Sequence, residues 1–158
     1  MESDRSPRCA RCDSKECRNG KDCFCLSQEH AGMYGDEEIG PLHSAAAAIE
    51  AEHYGRKTRL GEIIEFAKHL GCERLGLAFC IGLAEEARVI EAILAKQFDV
   101  VSVCCKVCGI DKKQFGLPYV RDVNRESMCN PAGQADLLNL AGSELNILCG
   151  LCVGHDAI

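Results

Sequence analysis

The sequence predicts an α/β fold: a parallel sheet with helical crossovers, a Rossmann-like or flavodoxin-like half, preceded by a small cysteine-rich segment. Three observations carry this expectation. Apolar runs of strand length alternate with helical stripes from residue 74 onward. The helical patterns between them are long enough to cross over between parallel strands. The 13 cysteines of this 158-residue chain gather in its first 25 positions and at the predicted strand ends.

Residues 1–30 form the first predicted domain. They are polar, lack a sustained period and hold Cys9, Cys12, Cys17, Cys23 and Cys25. Such a segment buries no core and is ordered by what it binds, so it reads as a metal-binding knuckle. Residues 31–158 form the second domain, with cysteines at the carboxyl ends of its strands. It starts with a linker at 33–41, marked by Gly35, Gly40 and the acidic run Asp36, Glu37 and Glu38.

A helix follows from Leu42, with Ala45, Ala46, Ile49 and His53 at three-and-four spacing and Gly55 ending the run. Thr58 caps a second helix, whose stripe is Leu60, Ile63, Ile64, Ala67 and Leu70 and whose stop is Gly71. Residues 74–80 read as a strand. Leu75, Leu77 and Phe79 lie on one face, and Gly76, Ala78 and Cys80 form a small-residue face that a helix can approach closely. Residues 83–98 carry a helix on Leu83, Ala87, Ile90, Leu94 and Phe98, and residues 100–104 a second strand. Residues 106–129 hold Gly109, Gly116 and Pro118 without a period and read as a functional loop or lid. Asn130 and Pro131 start the next helix, which carries Ala135, Leu138 and Ala141 and ends at Gly142. Residues 145–151 make a third strand. Three strands are few for such a sheet, so the expectation is a chain cut short at its C-terminal end or a sheet completed by a partner.

The net charge of −6, the absence of Trp and only five Phe and three Tyr oppose a nucleic-acid surface. No apolar run is long enough to span a membrane. The first residues form no apolar leader, and the cysteine count is odd. Both oppose a disulfide scaffold and point to cytoplasmic thiols kept for metal or redox chemistry.

Cys9-x-x-Cys12 is a metal-bracketing pair. Cys17 supplies a third thiolate and either Cys23 or Cys25 a fourth, a sulfur set that suits zinc or iron–sulfur. The spacing matches no ferredoxin pattern, and no second C-x-x-C of a zinc ribbon follows. The plain alternative is a zinc knuckle that only ties down the N-terminus.

The second set is Cys80, Cys104, Cys105, Cys129, Cys152 and His155. These residues are distant in sequence, yet an open parallel sheet gathers strand ends at one crevice. Cys104 and Cys105 serve one site only if the strand has ended there. Cys72 and Cys149 read as small buried hydrophobes. Cys105/Cys108 and Cys149/Cys152 are C-x-x-C pairs, but Cys149 lies inside a strand pattern, too early for a thioredoxin-like dithiol. His155 either ligates a metal or moves a proton with Asp156 orienting it, or sits in a solvated capping turn. His30, His43, His53 and His69 fall on linker or helical faces and read as structural. No Walker loop, nucleophile-elbow serine or zinc-protease helix is present.

Four segments together resemble the signature blocks of a known family. They are Phe79-Cys80-Ile81-Gly82-Leu83, Val103-Cys104-Cys105-Lys106, Met128-Cys129-Asn130-Pro131 and Gly150-Leu151-Cys152-Val153-Gly154-His155-Asp156. The family comprises uncharacterised metal-binding proteins of anaerobic bacteria and archaea, catalogued as a domain of unknown function. The resemblance covers Cys9 to Ile158. It implies a metal-binding head on an α/β body in an anaerobic cytoplasm, with Cys80, Cys104, Cys105, Cys129, Cys152 and His155 as matched positions. It leaves Cys108 and Cys149 outside the blocks and implies a further strand region beyond the Gly-His-Asp block. It names no reaction.

The expected function is metal binding of the iron–sulfur, electron-transfer type. A zinc module for structure or metal handling is the alternative, and a thiol enzyme using Cys104, Cys105 or Cys129 is the second alternative. The expected cofactors are an iron–sulfur cluster, zinc, or both. A redox partner protein and a second copy of the chain are the partners considered.

Overall fold

The computed structural model describes residues 6–156, without the side chain of Asp156; the expectation that Asp156 orients His155 therefore lies outside the described residues. The chain divides into two compact units, residues 1–52 and 53–158.

The first unit starts with two 3-10 turns, Cys9–Arg11 and Glu16–Asn19, neither with a buried residue. The Lys15 ammonium donates to the Cys9 carbonyl and, at 2.5 Å, to that of Cys12. Residues 6–25 are all exposed, as expected of a segment without a core. Asp22 accepts backbone N–H bonds from Phe24, Leu26 and Ser27, which lead into helix α1, Ser27–Met33. The bonds to Ser27, above all, hold the Asp22 carboxyl down at about 2. Asp36 Oδ1 does the same for Glu38 and Ile39, starting helix α2, Ile39–His53. The expected linker is thus a capped turn and the first turn of α2. Pro41 is tolerated in that turn, where its missing N–H has no intrahelical partner to lose.

In the second unit, Thr58 Oγ1 accepts from the Gly61 amide at 3.2 Å and caps helix α3, Arg59–His69. Strand β1, Arg74–Phe79, helix α4, Ala84–Leu94, and strand β2, Asp99–Cys104, follow. Asn130 Oδ1 accepts from the Gly133 amide at 3.0 Å and caps helix α5, Pro131–Leu140. Strand β3, Leu145–Cys149, and the single turn α6, Val153–Asp156, complete it. All strands are parallel, in the order β2-β1-β3. This is the α/β sheet with helical crossovers that the sequence predicts.

Register partners in a parallel sheet share a face. Leu75, Val100 and Leu145 are partners and join Ile64, Ala67 and Leu94 of α3 and α4 in the core. On the other face, a Cβ at Gly76 would lie 3.1 Å from Leu138 of α5, so glycine permits the helix to approach as closely as it does. The small-residue face thus performs the task expected of it.

Element ends differ from expectation for local reasons. Strand β3 stops at Cys149, not at 151, because Gly150 adopts φ +58. Leu83 fills the space a Gly150 side chain would need, its Cδ1 2.0 Å from an ideal Cβ. Strand β1 stops at Phe79, and Cys80 leads into the turn Ile81–Leu83. Helix α4 ends at Leu94, with Phe98 still packed on the core through a turn. Residues 106–129 form an ordered excursion. It contains two short 3-10 turns and returns through an Asp111–Ser127 bridge, a Lys112–Glu126 ion pair and a 2.6 Å bond from the Tyr119 hydroxyl to Asp111.

Candidate functional site

Strand β2 ends at Cys104, so the vicinal pair divides between a strand and a turn. Cys104 is register partner of Phe79. The Cys105 amide still bonds the Phe79 carbonyl at 2.9 Å, and the Cys105 carbonyl accepts from the Asn130 amide at 2.9 Å. That second bond fixes the residue after Cys129, and so brings the start of α5 to the end of β2. Cys105 is 1% exposed, and its Sγ accepts the Ile81 amide at 3.3 Å.

Burial pushes the Cys105 thiol up to about 11. The Ile81 amide opposes this, while Cys129, Cys104 and Cys80 raise it further. Their mutual charge effect means that thiols from three separate chain segments share one neighbourhood. Lys106 completes it. Its backbone amide lies 3.4 Å from Cys104 Sγ, and its ammonium donates to Cys129 Sγ at 3.4 Å and to the Ser127 carbonyl at 2.8 Å. Three of the four sulfurs therefore face an N–H donor.

Cys152 and His155 pair with each other instead: Cys152 Sγ lies 3.7 Å from His155 Nδ1. The other ring nitrogen, Nε2, lies 2.8 Å from Oε1 of Gln134. Gln134 is only 2% exposed, and its amide nitrogen donates to the Val103 carbonyl at 2.7 Å and the Phe79 carbonyl at 3.4 Å. Sequence reasoning missed both Gln134 and Lys106. The signal for Gln134 was a polar residue in the buried stripe of α5, four positions before Leu138. The signal for Lys106 was a cation directly after the vicinal cysteines.

Cys72 packs against the core cluster, as expected of a small hydrophobe, and burial, then Glu144, pushes its thiol up. Cys149 is half-buried, and its thiol is raised first by burial, then by Glu86 and Cys80. Cys108 is exposed with φ +67. His43 stacks on Tyr34 with ring centroids 4.4 Å apart, a structural contact.

In the first unit, Cys9, Cys12, Cys17 and Cys23 line one cavity of about 390 Å³ that Cys25 does not line. The Lys15 amide and then the Ser14 hydroxyl hold the Cys12 thiol below its ordinary value. Among the described residues, no three His, Cys, Asp or Glu side chains are closed around a single ion position. No helix among them is long and apolar enough to cross a membrane.

No solved structure matches the chain. An uncharacterised protein of the archaeon Methanocaldococcus jannaschii is 48% identical over 152 residues, which is 96% of this chain and 79% of that protein. Residues 19–158 match a family described as a protein of unknown function, DUF1847. The match begins after Cys9, Cys12 and Cys17, where the expected resemblance already included them. It takes in the whole sheet, both proposed groups at its edge and the Gly-His-Asp block, and on that span the chain belongs to the DUF1847 family.

Proposed function

We propose that the chain is a metal-binding redox protein whose sheet edge holds an iron–sulfur cluster on Cys80, Cys104, Cys105 and Cys129. The observation that carries this reading is the set of N–H donors aimed at the sulfurs: Ile81 on Cys105, and Lys106 on both Cys104 and Cys129. Four cysteine thiolates are the usual ligand set of such clusters, and hydrogen bonds to sulfur help set their potentials. The donor chemistry fits. Four thiolates close together repel one another, and a multiply charged centre offsets the repulsion.

A bound cluster would accept and release single electrons. The chain's own residues hold the ligands in place: the Asn130–Cys105 backbone bond sets Cys129 against Cys105, and the burial of Cys105 limits water. Cys152 and His155, expected in the same set, are left outside these four because Gln134 engages His155, which in turn pairs with Cys152. The second unit would exchange electrons with a redox partner protein in a reducing cytoplasm.

The cavity lined by Cys9, Cys12, Cys17 and Cys23 favours a second, mononuclear ion in the first unit, with zinc as the closest chemical fit. Cys23 rather than Cys25 is then the fourth ligand. This is the part of the zinc reading that a specific observation supports.

The test is iron, sulfide and zinc analysis with a visible spectrum on protein purified without oxygen. The expected result is iron and acid-labile sulfide with charge-transfer absorption that Cys105→Ala abolishes. Zinc alone in a colourless protein would overturn the iron–sulfur assignment and leave a structural or metal-handling module.

A further inference from the structure

The geometry points to a second centre: Cys152 and His155, held by Gln134, form a thiol–imidazole pair that accepts a short apolar acyl group from an activated ester or thioester. The argument begins with the buried amide. A backbone carbonyl only accepts hydrogen bonds, so the Gln134 nitrogen must face Val103 and Phe79, and its oxygen must face His155. That oxygen in turn requires a proton on His155 Nε2. In the neutral ring Nδ1 then carries the lone pair, and Nδ1 is the atom beside Cys152 Sγ. The tautomer thus follows from the sheet carbonyls.

Three conditions for an activated nucleophile are met: thiol, base within reach, and a third group that orients the base. When Cys152 passes its proton to Nδ1, the Nε2 proton stays on Gln134 Oε1, so the imidazolium keeps a partner on both sides. Gln134 is a positioning residue. Cys152 is exposed, and so open to a substrate from solvent.

On the α5 face of the sheet, reached by the His155 side of the pair, lies a groove of about 230 Å³. His155 forms part of its wall, with Ala78, Ala135, Leu138, Leu148 and Leu151. Pockets for drug-sized ligands run from about 300 to 1,000 Å³, so this one suits a short apolar chain. Bond formation and bond breaking balance without an oxidant. The Cys152 sulfur bonds to the carbonyl carbon as its proton moves to Nδ1. The bond from that carbon to the leaving oxygen or sulfur then breaks, and the leaving group takes the proton from Nδ1. The products are S-acyl Cys152 and a free alcohol or thiol.

This inference does not depend on a cluster at Cys80, Cys104, Cys105 and Cys129. The test uses protein as purified without oxygen, p-nitrophenyl butanoate or acetate as the probe, and mass mapping of acylated peptides. Cys108, exposed and without an imidazole partner among the described residues, is the internal reference. Cys152 is expected to acylate at least about ten-fold faster than Cys108, a threshold set below the about 100-fold or more that a positioned base contributes. His155→Gln should bring the two rates together. Butanoate should outpace acetate at Cys152 and not at Cys108, because the groove holds the longer chain. Equal rates at Cys152 and Cys108 in the unsubstituted protein would overturn the proposal, as would a His155→Gln protein with unchanged Cys152 acylation. Protection of Cys152 that only chelation removes would also overturn it, by making the residue a metal ligand. A butanoate-to-acetate ratio equal at the two thiols would overturn the groove assignment.

Discussion

Metal-free protein should lose stability in alkali, with Cys105 a separable contributor. The residue is 1% exposed, and its thiol moves from an ordinary 9.0 to about 11, chiefly because burial disfavours the thiolate. Below pH 9.0 both folded and unfolded chains hold the proton, and the thiol's contribution to stability is fully present. As pH rises further, the unfolded chain releases its proton first and unfolding becomes progressively easier. The loss is complete only above the folded value of about 11. Two units at about 1.4 kcal/mol each give a limit of about 3 kcal/mol, of which about 2 kcal/mol is gone when the pH equals the folded value. The perturbation is Cys105→Ala, and the assay is urea unfolding of reduced, chelated protein from neutral pH upward. Lysines, tyrosines and the other thiols titrate in both proteins, so the difference between their unfolding free energies isolates Cys105. The cavity left by the missing sulfur adds a cost that does not vary with pH. Wild type should therefore lose its advantage over the variant by about 2 kcal/mol as pH climbs to about 11. A difference that stays constant with pH would refute the burial argument.

Three further outcomes follow from local geometry. Gly76→Ala would put a Cβ 2.0 Å from Asn146 Oδ1 and 3.1 Å from Leu138, and should cost about 1–3 kcal/mol in urea unfolding. Asn130→Ala removes the cap of α5 and should cost about 1 kcal/mol; hydrogen exchange should quicken first at the Gly133 amide. Glu144 accepts the Arg74 and Glu73 amides at 2.8 and 2.6 Å, which hold its carboxyl below the usual range. Its contribution is present above the unfolded carboxylate pKa and lost as pH falls through the lower folded value. Glu144→Gln should therefore flatten the acid limb of stability, read as a urea midpoint that changes less between neutral pH and acid than wild type's.

Periodicity made the sheet and helices α3 and α4 legible, because each buries a continuous apolar stripe, while the Asn130–Pro131 start marked α5. The stops were legible too where glycine takes a left-handed conformation, as at Gly71 and Gly142. Helix α1 was not, since Ser27–Met33 has no such stripe and owes its start to Asp22. The region 33–41 has the composition of a linker, yet Asp36 turns the same residues into a helix start. At the site, parallel topology predicted that strand ends would collect thiols. The partition among them depended on contacts no spacing encodes. Gln134 reaches across the α5 face to carbonyls of both β1 and β2, and a buried glutamine looks in sequence like a break in an apolar stripe. That Cys23 lines the cavity and Cys25 does not was equally hidden, because spacing does not encode the local path that takes Cys25 through φ +56.

Charge bears on how far the thiols at the sheet edge can ionise together. Four thiolates would put four negative charges beside one another, and Lys106 is the cation in direct contact with a sulfur of that group. The remaining donors, the amides of Ile81 and Lys106, contribute only partial charge. Burial above all, and after it the neighbouring Cys129, Cys104 and Cys80, keep the proton on Cys105 well past neutral pH in metal-free protein. A polyvalent centre reverses that preference, and its binding would release protons. Cys152 stands apart from that group: His155 Nδ1 lies beside its sulfur, and Gln134 meets the ring from the opposite side. One parallel sheet thus carries two thiol arrangements: a group of sulfurs faced by N–H donors, and a single sulfur beside an imidazole.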